Sequence, residues 1–170
     1  MHGTLPDGTD LDLADGATGL DAAAAIGPRL AQAAVAVQVN GDVRDLRLPV
    51  ADGEQLRILT DRDPEALAVL RHSTAHVMAE AVLHLWPDAK IAIGPAIADG
   101  FYYDFELPDG GTFSEDDLAR IEARMRELAA EDQRFARSEV SVDQGLTLFG
   151  DQPYKQEIIR RVGGVDDPTE

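Results

Sequence analysis

Cysteine is absent from the 170 residues, and aromatic side chains make up only 5% of them. Without cysteine these residues can form no disulfide, no thiolate nucleophile and no cysteine-rich zinc site. No apolar run approaches the roughly 20 residues that a membrane helix needs, and Met1-His2-Gly3 lacks the basic start of a signal peptide. We therefore expect a globular protein that does not enter a membrane and has a cytoplasmic location.

Positive charge is also scarce. The chain has 15 Lys and Arg against 32 Asp and Glu, which gives a formal net charge of −17. An averaged field of this sign repels a phosphate backbone. The sequence therefore predicts weak unaided binding to nucleic acid. The hydrophobic content of 44% is enough for one medium domain or two small ones.

Residues 1–60 have the pattern of a small domain in which strands predominate. Pro6-Asp7-Gly8 and Asn40-Gly41 are hairpin turn signals between short apolar stretches. An alanine-rich helix is predicted over about 19–26, where Gly27-Pro28 ends it. With a closing strand over 56–60, the predicted order of two strands, one helix and three strands suits a sheet packed on one helix.

A longer helix is predicted from Pro64, with Asp63 as its N-cap, to about Trp86. The residues that should form its core stripe are Leu67, Leu70, Val77, Met78, Ala81 and Leu85. His72 and His76, four residues apart, fall together on a different face. That face also holds the apolar residues Val69, Ala79 and Leu83. A helix that is apolar on two faces is normally covered on both, which predicts a pocket lined by imidazoles.

The remaining segments alternate between strand and helix signals, so the predicted fold class is α+β. Ser114 with Asp117 predicts a capping box at the start of a further helix. The tail 163–170 has no apolar anchor and is expected to fray. The predicted strands are 90–93, 101–107 and 135–142, and the predicted short helices are 142–149 and 153–162.

The histidine pair admits several interpretations. Two helix histidines can simply pack, or they can share the hydroxyls of a substrate, or divide general-base and hydrogen-bonding work. A zincin-type metal site is disfavoured, because residue 73 is Ser where that motif has a glutamate. His84 falls on another face of the helix. We therefore assign no metal site.

Three further residues have ordinary interpretations when taken alone. Tyr103 shares a predicted strand face with Phe101 and Phe105, as in a core stripe. Gly94 marks a turn, although a glycine also lets a backbone approach a ligand closely. Lys155, one of two lysines in the chain, lies near the start of a predicted helix and would usually be exposed.

Taken in order, several motifs resemble the N-terminal part of bacterial threonyl-tRNA synthetases. They are Leu5-Pro6-Asp7-Gly8, Ala25-Ile26-Gly27-Pro28, Leu70-Arg71-His72-Ser73-Thr74-Ala75-His76, Leu85-Trp86-Pro87, Ile93-Gly94-Pro95 and Gly100-Phe101-Tyr102-Tyr103-Asp104. The resemblance spans essentially the whole chain. It implies a TGS domain of ubiquitin-like β-grasp fold at residues 1–61. It also implies that residues 62–170 begin the editing domain, which hydrolyses seryl-tRNA mischarged in place of threonyl-tRNA.

The resemblance further implies catalytic roles for His72, His76 and Lys155, and substrate-binding roles for Tyr103 and Gly94. A Cys-x-x-x-His element of the family is expected beyond Glu170, so that the chain would be an N-terminal fragment, inactive alone. The family's ATP, magnesium and zinc sites and its homodimer contacts lie in the catalytic core outside these residues, and its partner is tRNA(Thr).

Two alternatives stay open at this stage. TGS domains also occur in alarmone synthetases and in some GTPases, so the chain could be a non-enzymatic binding or regulatory module. A free-standing metallohydrolase would need a ligand set that we do not find.

Overall fold

The computed structural model describes residues 1–133, 136 and 138–164. The chain divides into two compact units, Met1–Arg71 and the residues from His72 onward. The division lies inside a long helix, because the first turns of that helix pack within the first unit: Ala66 is buried in a cluster with Ala36 and Leu59. A domain boundary after residue 61 stays a prediction.

The first unit contains a five-stranded arrangement. Its strands are β1 (His2–Thr4), β2 (Asp10–Asp12), β3 (Ala34–Val39), β4 (Asp42–Arg44) and β5 (Leu56–Thr60). β1 pairs with β2, and β3 pairs with both β4 and β5, all antiparallel. A parallel bridge from Thr4 to Gln55 sets the first hairpin beside the start of β5. The order β2-β1-β5-β3-β4 confirms the predicted β-grasp.

Two helices cover this sheet where one was predicted. Helix α1 (Gly19–Ile26) begins at a capping box between Thr18 and Asp21, and the Gly27 amide donates to the Ala23 carbonyl at its end. Helix α2 (Pro28–Ala33) then follows at once. Our sequence analysis treated the proline only as a helix stop, whereas proline also favours the first position of a new helix. The core beneath consists of Ala22, Val37, Val39, Val50 and Leu56.

Helix α3 (Pro64–Leu85) confirms the long helix predicted from the sequence. Its predicted core stripe is wrong at the N-terminal end, where Leu67 and Leu70 are exposed. Ala66 and Val69 contribute to the core of the first unit instead. Further along, the stripe is confirmed, because Ala81 is buried and Val77 packs against the same cluster. The helix therefore buries one face near its N-terminus and a different face further along.

The second unit is built from short strands and three more helices. They are β6 (Lys90–Ile91), β7 (Ala96–Ile97), β8 (Gly100–Phe101), β9 (Phe105–Glu106), α4 (Glu115–Ala130), α5 (Val142–Leu148) and α6 (Pro153–Val162). β6 pairs with β9, and β7 pairs with β8, both antiparallel. Its core cluster is Ala81, Val82, Ala89, Leu107, Ile121 and Leu128.

Two strand predictions for this unit are wrong. The segment 101–107 is not one regular strand, because β8 pairs with β7 while β9 pairs with β6. Between them, the Asp104 amide donates to the Ile93 carbonyl, and the Asp104 carbonyl accepts from the Ala92 amide. Within 135–142 the described residues form no strand, and Val142 already begins α5. Phe135 and Arg137 lie outside the described residues, as do residues 165–170 of the tail that we expected to fray.

Three helix predictions are confirmed. The capping box between Ser114 and Asp117 opens α4, and α5 and α6 occupy the two predicted short segments. Within the part of the chain that the structure describes, no helix is both long and apolar enough to cross a membrane.

Candidate functional site

The centre of the candidate site is the histidine pair on α3. The Nε2 atoms of His72 and His76 are 3.0 Å apart. Their ring centroids are separated by 4.5 Å, and the ring planes are nearly perpendicular at 88°. This proximity follows directly from a spacing of four residues in an α-helix. Both side chains are exposed, so a substrate can reach them.

The helix face that carries the pair is covered beside the histidines, as the sequence predicted. Ala75 and Ala79 are buried, and Leu83 packs against the core of the second unit. Small side chains at these positions let α3 pack closely on its neighbours. This packing holds α3 in place and so fixes the positions of the two histidines.

Lys155, near the start of α6, contributes a positive charge to the same site. Partial loss of hydration at the His76 ring lowers the pKa of His76 most, followed by the neighbouring His72 and then by the charge of Lys155. Burial also lowers the pKa of Lys155 itself. These effects favour a neutral His76 at physiological pH, which is the protonation state that a general base requires.

Tyr103 joins Lys155 to the aromatic part of the site. The Lys155 Nζ lies 5.9 Å from the centroid of the Tyr103 ring, within the range of a cation–π contact. The ring stacks on Phe105 with centroids 4.9 Å apart, and burial raises the pKa of the Tyr103 hydroxyl. The tyrosine is therefore held as a neutral hydrogen-bonding group.

Gly94 is required by the position of that tyrosine. A Cβ atom at residue 94 would lie 2.0 Å from Cδ2 of Tyr103, far inside van der Waals contact. The glycine therefore lets the backbone lie directly against the ring. The sequence raised a close approach of the backbone to a ligand; the close approach in the structure is to the Tyr103 ring.

The structure links all five predicted site residues within the second unit. His72 contacts His76, the charge of Lys155 acts on His76, Lys155 faces Tyr103, and Tyr103 rests on Gly94. Three separate segments supply them, namely α3, the hairpin region around β7 to β9, and α6. A neutral imidazole, an ammonium group and a phenol in one place can bind a polar ester and assist attack by water.

Sequence reasoning missed a cleft of about 190 Å³ that borders His76. It is lined by His76, Val77, Glu80, Leu128, Ala129, Asp132 and Gln133. Gln133 Nε2 donates to Glu80 Oε1 at 3.2 Å across it. The available signal was the position of Glu80 one helical turn beyond His76. The contribution from the end of α4 had no sequence signal that we could recognise.

His84 and His2 contact other side chains. The Nδ1 atom of His84 accepts a hydrogen bond from Arg124 Nε at 3.0 Å, and His2 Nδ1 contacts Asp12 Oδ1 at 2.6 Å. Among the residues that the structure describes, no three histidine, aspartate or glutamate side chains are grouped so as to hold a metal ion.

Residues 1–60 match the TGS domain family. The chain is 49% identical to the threonine–tRNA ligase of Rubrobacter xylanophilus over 158 residues, which are 93% of this chain and 24% of that protein. The corresponding ligase of Citrifermentans bemidjiense is 46% identical over 162 residues, 94% of this chain and 25% of the relative.

A third relative, the threonine–tRNA ligase of Deinococcus deserti, is 45% identical over 168 residues, 94% of this chain and 26% of that protein. The chain is similar to the N-terminal region of threonine–tRNA ligases. The resemblance inferred from the motifs is confirmed. The chain spans about a quarter of the length of these relatives.

Proposed function

We propose that this chain is the N-terminal region of a threonine–tRNA ligase, which joins threonine to tRNA(Thr) using ATP. Residues 1–61 would be its TGS domain, and residues 62–170 would be the first part of its editing domain. The TGS match and the similarity over 93% of the chain support this assignment. A cytoplasmic, homodimeric ligase is part of the same proposal.

An editing site answers a physical need of such a ligase. Serine lacks one methyl group of threonine, and a difference of that size in a binding pocket is worth only about 1–3 kcal/mol. A synthetic site alone therefore discriminates weakly, and a second site must hydrolyse seryl-tRNA. The observation that carries this role for the second unit is the contact of His72 with His76 beside Lys155.

The residues of the site can divide the chemistry of ester hydrolysis. Water attacks the seryl carbonyl carbon, its proton passes to a neutral imidazole of the pair, and the bond to the ribose oxygen breaks as that oxygen regains a proton. The other imidazole would hold the terminal ribose. Lys155 would place the water and stabilise the negative charge that develops on the carbonyl oxygen. Tyr103, supported by Gly94, would shape the pocket for the seryl group.

ATP, magnesium and zinc would be bound by parts of the ligase outside these residues. The donor set that the structure describes does not group three metal ligands, so we derive no step through a metal here. The formal charge of −17 also indicates that the tRNA is held mainly by other parts of the ligase. We expect the isolated chain to bind tRNA weakly and to give no threonine-dependent pyrophosphate exchange.

The test is a chimaeric ligase in which this chain replaces the matching quarter of a relative. His72→Ala, His76→Ala and Lys155→Ala should each slow hydrolysis of Ser-tRNA(Thr) by at least about 100-fold, the usual scale of acid–base catalysis. Threonine activation should be unchanged. His84→Ala and Lys90→Ala are matched controls of the same residue types outside the cluster. Wild-type hydrolysis in a folded His76→Ala chimaera would overturn the proposed editing role.

A further inference from the structure

The separation of the two histidine rings restricts where their protons can lie. With the Nε2 atoms 3.0 Å apart, two protons between them would clash, and two facing lone pairs would repel each other. One proton between the rings instead forms an ordinary hydrogen bond at this distance. We propose that His72 and His76 share a single proton between their Nε2 atoms and exchange protons with their surroundings as one unit.

The shared proton determines what the pair presents to a ligand. A neutral imidazole carries one N–H and one lone pair. The ring that donates through Nε2 therefore has a lone pair at Nδ1, and the ring that accepts has an N–H at Nδ1. Whichever ring donates, the pair offers one acceptor and one donor, both at Nδ1. A proton taken up at one Nδ1 can pass through the shared position and leave from the other ring.

The surroundings favour the neutral pair over a doubly charged one. Lys155 lies on α6, and its positive charge opposes charge on His76. Glu80, one turn along α3, and Asp132, after α4, are the acidic residues that border the same cleft as His76. Gln133 engages Glu80 through its amide group, and Tyr103 lies beside Lys155. Two charged imidazoles would lose the shared hydrogen bond and repel each other, so the pair holds a second proton less readily than the first.

The other two histidines of the chain provide built-in references. His84 accepts from the Arg124 guanidinium through Nδ1, which keeps its proton on Nε2 because arginine can only donate. His2 directs Nδ1 at the Asp12 carboxylate, which holds a proton on Nδ1. Each neutral tautomer is therefore represented once outside the pair.

Nitrogen-15 NMR of the imidazole rings in the full chain tests the proposal without tRNA, so its outcome is independent of the editing assignment. At about pH 8 one ring of the pair should show the Nε2–H tautomer of His84 and the other the Nδ1–H tautomer of His2. When acid is added, the nitrogen-15 shifts of both rings should begin to change together, because the pair takes up its first proton as one unit. The same tautomer in both rings, or two independent single-step curves, would overturn the proposal.

A substitution provides a second readout. In His72→Gln, the His76 ring should titrate in a single step, whereas His84→Gln should leave the coupled curves of the pair unchanged. Coupled curves that persist in a folded His72→Gln chain would assign the coupling to another group and overturn the shared proton. If His72→Gln does not fold, the tautomers of the wild-type chain decide the question alone.

Discussion

The two compact units are built from different kinds of side chain. All nine aromatic residues, five Phe, three Tyr and one Trp, lie in the second unit, and residues 1–71 contain none. The first unit packs an aliphatic core in which Val37, Val39, Leu56 and Leu59 are fully buried. In the second unit one of the aromatic rings, that of Tyr103, contacts Lys155 in the candidate site. The core of the first unit is thus aliphatic, whereas aromatic rings contribute to the packing of the second.

Exposure of large apolar side chains follows the same division. In residues 1–71, all of which the structure describes, no large hydrophobic side chain is more than 41% exposed. In the second unit Leu118, Val140, Leu148 and Val162 are 57%, 53%, 70% and 81% exposed. The first unit therefore buries its large apolar side chains more completely than the second. Substitutions of such side chains should lower the stability of the two units to different extents.

The largest effect on stability should come from the aliphatic core. Leu56→Ala removes a side chain that is 1% exposed, and such a change costs about 2–5 kcal/mol of unfolding free energy. Urea unfolding followed by the methyl NMR signals of the first unit measures it. The matched change Leu148→Ala, at a 70% exposed position, should alter stability by less than about 0.5 kcal/mol. Equal losses at both positions would remove the contrast between the units.

A smaller effect is expected where backbone and ring meet in the second unit. In Gly94→Ala the new Cβ would lie 2.0 Å from Tyr103, so the ring must move, at a cost of about 1–3 kcal/mol. Trp86, the single tryptophan, reports the unfolding of this unit by fluorescence. Gly100→Ala is the control, because a Cβ there meets no atom within 4 Å. If both variants unfold like the wild type, the ring does not rest on Gly94.

The helix caps should show where the two units behave alike. Thr18 and Ser114 each accept from the backbone of an aspartate three residues on, in complete capping boxes. Thr18→Ala and Ser114→Ala should each cost about 1 kcal/mol of unfolding free energy. Paired urea titrations, read by methyl NMR for α1 and by Trp86 fluorescence for α4, compare them. If only one of the two variants loses unfolding free energy, packing rather than capping holds the helix start in the other unit.

The smallest expected difference is in acid sensitivity. Burial, His72 and Lys155 lower the pKa of His76 in the folded state, so the unfolded chain binds more protons below about pH 6.5 and stability falls there. In the first unit, hydrogen bonds from Thr18 lower the pKa of Asp21, and the associated stability is lost only as the pH falls below about 4.

Unfolding free energies measured between about pH 7 and pH 3 test whether the second unit loses stability at a higher pH than the first. His76→Gln should flatten the decline that begins near pH 6.5 in the second unit, and Asp21→Asn should flatten only the more acidic part in the first. A decline near pH 6.5 that survives His76→Gln would assign it to another group.

Sequence periodicity predicted the regular elements well and their surroundings less well. Turn and capping signals are local, so α3 and α4 begin where Asp63 and Ser114 predicted, and α1 begins at the predicted residue 19. The face that α3 buries near Leu67 depends on packing against β3 and β5, which no local pattern encodes. The break between β8 and β9 likewise depends on two different pairing partners. The site residues were predicted through their motifs, whereas the cleft formed with Asp132 requires the tertiary fold.

The most direct test of the proposed editing site is a double-mutant cycle on the histidine pair in the chimaeric ligase. Deacylation of Ser-tRNA(Thr) and the thermal midpoint are measured on the same samples of His72→Ala, His76→Ala and the double variant. If the pair acts as one unit, the double variant should deacylate little more slowly than the slower single variant, with threonine activation intact. Near-wild-type deacylation in single variants whose thermal midpoints have dropped would contradict the account, because the histidines would then serve packing alone.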